Sequence, residues 1–118
     1  VPKNARVFVT EDDPTVRKII LEELELNDHT APLVATSLEE AKEKAELVEK
    51  EKVNVALLDG SLSRGSTGDG QIMASILKKK NPKIKIIGWS AMLQADWGDL
   101  NLDKTEQIAK IGKIVTEL

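Results

Sequence analysis

The chain has 118 residues, enough for one hydrophobic core and too few for two. Hydrophobic residues make up 41% and charged residues 31%, which excludes a disordered chain, and a net charge of -3 with no basic face standing out argues against nucleic-acid binding. The absence of cysteine excludes disulfides and thiolate chemistry, and with no signal peptide and no apolar run near the roughly 18 residues of a membrane span the cytoplasm is the expected compartment.

Residues 5–10 read as a buried strand. Asp13 and Pro14 then supply an N-cap and a helix-compatible first proline, and Val16, Ile19, Ile20 and Leu24 follow at helical spacing. Residues 31–36 form a weaker strand. Ser37 and Glu40 make a capping box that opens a helix with the stripe Leu38, Ala41, Ala45 and Val48. Residues 53–58 are the clearest strand, ending at Asp59. A loop rich in Gly and Ser covers residues 60–68, without the lysine-containing ending of a nucleotide P-loop. Asp69 is expected to cap a third helix with Ile72, Met73, Ile76 and Leu77 inward, and Asn81-Pro82 stops it. Lys78, Lys79 and Lys80 read as a solvated run that suits the helix dipole. Residues 84–89 form a fourth strand and residues 100–102 a short fifth. A last helix carries Ile108, Ile111, Val115 and Leu118 on one face. His29, the sole histidine, is expected in an exposed loop. Trp89 is expected to pack beside Ser90, and Trp97 to fill the space left by a missing fourth helix or, alternatively, to stand exposed as a partner contact.

Strands alternating with helices predict a single α/β domain over residues 1–118, a doubly wound parallel sheet of five strands in the order 2-1-3-4-5. Ligands of such sheets bind beyond the carboxyl ends of the strands, at the switch point between the first and third. The residues at those ends are Glu11, Asp12 and Asp13, then Asp59, Ser90 and Lys104. Clustered carboxylates call for a divalent cation, and hard oxygen ligands suit Mg²⁺. A carboxylate can attack phosphorus to form an acyl phosphate, and a lysine and a hydroxyl can bind the transferred oxygens.

These residues, in this order, resemble the receiver domain family of two-component response regulators. Residues 9–17 resemble its opening signature, with Glu11 and Asp12 as the acidic pair, Asp13 as the helix cap and Arg17 five residues after the second acid. Residues 56–59 resemble the phosphoacceptor strand, and Asp69-Gly70 the start of its third helix. Trp89-Ser90-Ala91 resembles the switch position, and Asp103-Lys104 the family's lysine that contacts the phosphoryl group. The resemblance implies a flavodoxin-like fold and Asp59 as phosphoacceptor, assisted by Ser90 and Lys104. It implies Mg²⁺ held by Glu11, Asp12, Asp59 and the Ser61 carbonyl. The implied donor is a histidine kinase or phosphotransfer protein, and the output is a protein or domain outside this chain. Such a domain would catalyse no more than its own phosphorylation and dephosphorylation.

Four departures from the pattern fall in one half of the domain. The loop after Asp59 is long and lacks the usual Met-Pro pair. Thr105 follows Lys104 where the family has a cis proline, and a non-proline cis bond costs roughly 3–4 kcal/mol, so a different lysine loop is expected. Asn101 stands where the family has its switch aromatic. Positions 91–103 leave little room for both a helix and a strand, so the fourth helix is expected to be shortened or lost. These departures keep open an alternative of a different class: a pseudo-receiver that is not phosphorylated and only binds a protein.

Overall fold

The computed structural model describes residues 4–60, 68–90 and 97–118, with the backbone alone of Thr105. Its elements in chain order are β1 (Arg6–Thr10), α1 (Pro14–Leu26), β2 (Thr30–Ala35), α2 (Leu38–Ala45), β3 (Val55–Asp59), α3 (Asp69–Lys80), β4 (Lys85–Ser90) and β5 (Leu100–Asp103). The chain then runs through a helical turn α4 (Lys104–Gln107), a 3-10 turn (Ile108–Lys110) and α5 (Ile111–Thr116). The five strands form one parallel sheet in the order β2-β1-β3-β4-β5, as expected. Of positions 91–103, where the fourth helix is expected to be shortened or lost, 97–99 are not helical and Leu100–Asp103 is β5, while 91–96 lie outside the described residues.

Strand alternation divides the core into two layers. Phe8, Ala56, Leu58 and Ile86 face Ala41 and Ala45 of α2 and Met73 and Leu77 of α3. Val7, Val9, Val55, Leu57, Ile87 and Trp89 face Ile20 and Leu24 of α1 and Ile111 and Val115 of α5. With both faces covered, every residue of β3 is buried. That burial explains why β3 reads as an uninterrupted apolar run ending in one acid.

The helix starts follow the sequence closely at α1 and α2. The Asp13 carboxylate accepts from the Thr15 and Val16 amides at 2.8 and 3.2 Å. The Ser37 hydroxyl accepts from the Glu40 amide at 3.1 Å, while Glu40 reaches back to the Thr36 amide at 2.9 Å. At α3 the expectation fails. The N-cap is Gly68, at φ +88°, and Asp69 is the first helical residue and buried. Only glycine adopts that backbone without strain. The inward stripe is Gly70, Met73, Ala74 and Leu77, and Ile72 points outward at 43% exposure. Ile19 is likewise exposed, the stripe of α1 being Ile20 and Leu24. The last helix is interrupted by the 3-10 turn, yet Ile108, Ile111, Val115 and Leu118 all pack into one layer.

Two polar expectations are also corrected. Lys78 is not merely solvated: its ammonium pairs with Asp99 at 2.9 Å and donates to the Ile84 carbonyl at 2.6 Å, and Lys80 pairs with Glu46 at 3.0 Å. His29 is buried, not exposed. Its Nδ1 accepts from the Ala5 amide at 3.0 Å, so the ring proton sits on Nε2. Nε2 donates toward the Gly112 carbonyl at 3.2 Å and the Thr116 hydroxyl at 2.8 Å. The ring thus ties the entry of β1 to α5, with Gly112 lying 83 residues beyond His29. His29→Ala leaves the Ala5 amide without this acceptor and opens a cavity, and is expected to lower unfolding free energy by about 2–3 kcal/mol in urea titration. A change within 0.5 kcal/mol, the usual range for surface substitutions, would contradict the tie.

Two irregularities mark the β2 edge and the sheet's other rim. The β1–β2 register slips between Arg6 and Phe8, because Ala31 and Pro32 on β2 lie opposite the single step of Val7. At the far side β5 has four residues.

Candidate functional site

The parallel sheet brings the carboxyl ends of β1, β3 and β4 to one rim. Thr10 is the Cα partner of Leu58, so Glu11 and Asp12 leave β1 beside Asp59 leaving β3. Asp59 is in turn the partner of Trp89, which sets Ser90 one residue beyond it. Ser90 is the partner of Asp103, and this places Lys104 on the same rim.

The acids converge as the sequence predicts. Glu11, Asp12 and Asp59 each offer a carboxylate oxygen, and these oxygens lie within 4.8 Å of one another. Glu11 and Asp59 are buried and Asp12 is exposed. Lys104 enters between the two buried acids. Its ammonium donates to Asp59 Oδ2 at 2.8 Å and lies 2.7 Å from Glu11 Oε1. The contact with Glu11 is close but lacks the direction of a hydrogen bond, and Oε1 makes no hydrogen bond. Glu11 Oε2 accepts from the Asp13 amide at 3.2 Å. Lys104 also lies 5.8 Å from the centre of the buried Trp89 ring. The replacement of proline by Thr105 does not keep the lysine away. Lys104 opens the turn α4 directly and still reaches the rim.

Burial shapes the protonation of this cluster. It pushes the Glu11 carboxyl up to about 8, against the opposing pull of Lys104 and with the help of nearby Asp59. Burial on its own would lower Lys104, but the contacts with Asp59 and Glu11 outweigh it and hold the ammonium above its ordinary value. The two sides of the Glu11–Lys104 contact therefore disagree about charge: the lysine is held ionised and the glutamate is held protonated. The directed bond settles the matter, and the ammonium belongs chiefly to Asp59.

Of the remaining expected residues, Ser61 and the Gly-rich loop lie outside the described residues. Ser90 ends β4 beside the backbone of Gly60, where an added Cβ would stand 3.6 Å from the Ser90 Cβ. Two supporting residues were not foreseen. The Thr10 hydroxyl is fully buried, accepts from the Asp59 amide at 3.1 Å and donates to the Leu57 carbonyl at 3.4 Å. It stitches β1 to β3 where the acids begin. A lone hydroxyl ending an apolar strand was the available signal. Arg17 was noted only as part of a motif; its Nη1 donates to the Glu11 carbonyl at 3.0 Å and steadies the acidic turn.

The donor set fits a hard divalent cation: three carboxylates at close range, one of them open to water. Among the described residues no other group of acids or histidines is assembled in this way.

No protein-family model matches the sequence, and no curated protein matches it. Solved structures do. The chain superimposes on the response regulator PhyR from Brucella abortus with a TM-score of 0.63 at 28% identity, over 75% of this chain. It spans about a third of that protein, 34% of its length. It is similar over nearly its whole length to the response regulator domain of Thermotoga maritima CheB, with a TM-score of 0.67 at 16% identity, covering 97% of this chain and 95% of that one. The receiver domain of a diguanylate cyclase from Desulfovibrio desulfuricans G20 gives a TM-score of 0.63 at 18% identity, covering 93% of this chain and 76% of that one. The chain has the CheY-like fold of a response-regulator receiver domain. Among the described residues no helix is long and apolar enough to cross a membrane.

Proposed function

We propose that the chain is a phosphoacceptor: it takes a phosphoryl group on Asp59 from a phosphohistidine of a partner kinase or phosphotransfer protein, and passes the change to a protein-docking surface. The observation that carries this reading is the meeting of Glu11, Asp12 and Asp59 within 4.8 Å, with Lys104 bonded to Asp59 at 2.8 Å. Glu11, Asp12 and Asp59 would hold Mg²⁺, with the Ser61 carbonyl as a further ligand. Bound there, the ion would neutralise phosphoryl oxygens during transfer.

The chain's own residues supply the remainder. An Asp59 oxygen attacks phosphorus, an O–P bond forms as the donor's P–N bond breaks, and the imidazole leaves with a proton. Lys104 is already hydrogen-bonded to the attacking carboxylate, so it stands ready to balance charge on the transferred group. Ser90, one residue beyond the neighbour of Asp59 on β4, would donate a hydrogen bond to the attached phosphoryl group. The Thr10 hydroxyl fixes the Asp59 backbone throughout.

The test is incubation with Mg²⁺ and a small phosphodonor such as phosphoramidate, followed by intact mass. Wild type is expected to gain one phosphoryl group that base and hydroxylamine remove, and Asp59→Asn none. An unmodified wild type at high Mg²⁺ would favour a module that binds protein without phosphorylation.

A further inference from the structure

Building on the reading of Asp59 as acceptor, we infer that Trp97 is the aromatic side chain that couples the state of Asp59 to the β4–β5 edge. The indole sits in a cradle of glycines from three segments. A Cβ on Gly70 would stand 2.3 and 2.4 Å from the ring atoms Cη2 and Cζ2, and one on Gly88 2.8 and 2.9 Å from Cζ3 and Cη2. A Cβ on Gly60 would stand 3.8 Å from Cζ2. Real Cβ atoms do not approach heavy atoms within 3 Å, so at Gly70 and Gly88 the ring occupies the volume a side chain would need.

The cradle is the backbone of the site itself. Gly60 follows Asp59, and its amide donates to the Trp89 carbonyl at 2.9 Å. Gly70 presses on Asp59 from α3, where a Cβ would lie 2.7 Å from the Asp59 carbonyl oxygen. Gly88 precedes Ser90 by two residues in β4. The half-buried ring also packs against the core layer that holds Met73 and Leu77. Close packing of this kind leaves no slack. A shift of Gly60 or β4 when a phosphoryl group is attached must therefore displace the ring.

The main chain next to the ring is fastened to the sheet. The Gly98 amide donates to Asn101 Oδ1 at 2.9 Å, and Asn101 Nδ2 donates to the Gly98 carbonyl at 3.0 Å. Asp99 accepts from the Ile86 amide at 2.8 Å and pairs with Lys78. Asn101 is thus a staple, engaged at both ends of its amide, and is unsuited to swing as an aromatic residue would. Motion of Trp97 has a short, stiff path to β5.

The test uses the full chain labelled with 5-fluorotryptophan, whose two ¹⁹F lines are assigned with Trp97→Phe. Mg²⁺ and beryllofluoride are added, and the fluorine resonance of bound beryllofluoride reports occupancy of Asp59 independently. The expected result is a shift of the Trp97 line that tracks occupancy and is lost in Asp59→Asn. An occupied Asp59 with an unmoved Trp97 line overturns the coupling while leaving the acceptor reading intact. Absence of any bound beryllofluoride signal in wild type overturns the acceptor reading and the coupling with it.

Discussion

Lys104→Met is expected to destabilise the metal-free protein by about 2–3 kcal/mol at pH 8. Stripping one partner from a buried ion pair typically costs about 3–5 kcal/mol, because the other charge is left behind. Here the lysine side chain is 13% exposed, and the acids it faces are 5% exposed or less. The loss is reduced because burial already favours the neutral form of Glu11, which leaves Asp59 as the main uncompensated charge. The Glu11 proton also fixes the pH dependence. In the folded chain the Glu11 carboxyl is raised by burial to about 8 from 4.5, so between those values the folded form holds a proton that the unfolded form has released. Stability in chelator should therefore fall as pH rises through this window, and Glu11→Gln should flatten the decline. On the proposed reading Mg²⁺ would bind only the folded rim, and it should then raise the melting temperature of wild type and Lys104→Met. It should raise Lys104→Met more, since no ammonium then competes for the same oxygens. Thermal melts in chelator and in Mg²⁺ at pH 6 and pH 8 read all of these effects. A Lys104→Met variant as stable as wild type in chelator at pH 8 would remove the lysine from its role as counter-ion.

Gly112→Ala should cost about 2–3 kcal/mol, although alanine is the better helix former by roughly 1 kcal/mol. A Cβ at Gly112 would stand 2.2 Å from the Glu23 carbonyl oxygen and 2.9 Å from its carbonyl carbon. It would also stand 2.3 Å from Asn27 Nδ2, which itself donates to that Glu23 carbonyl. Two of these obstacles are backbone of α1 and cannot turn aside. α5 would have to lift from α1, loosening the Ile111 and Val115 contacts and the His29 bond to the Gly112 carbonyl. Urea titration measures the loss directly. A variant equal to or more stable than wild type would mean that the two helices do not approach this closely.

The frame of the protein was legible because it rests on local patterns. Buried parallel strands appear as short apolar runs, caps announce α1 and α2, and the rule that ligands gather at strand carboxyl ends picked out Glu11, Asp12, Asp59 and Lys104. What escaped notice depends on neighbours distant in the chain. His29 looked like a loop residue because its three partners come from residues 5, 112 and 116. Ile72 looked like core because the true stripe of α3 is built partly from Gly70 and Ala74, which hydrophobic periodicity weighs too lightly. Thr10 was absorbed into a strand, since nothing in β1 alone shows that its hydroxyl meets the Asp59 amide. Gly70 and Gly88 became meaningful only when Trp97 was found lying on them.

The uneven step at Pro32 bears on how copies of this chain meet. A parallel sheet with apolar strands invites another strand to join at either side, and exposed rims are where polymers begin. On one side, proline withholds an amide and the outermost strand carries a register slip. On the other, a four-residue strand offers too little length to template a long ribbon. Crowding should therefore bring these molecules together through side-chain surfaces, leaving the sheets separate and the solution free of fibres.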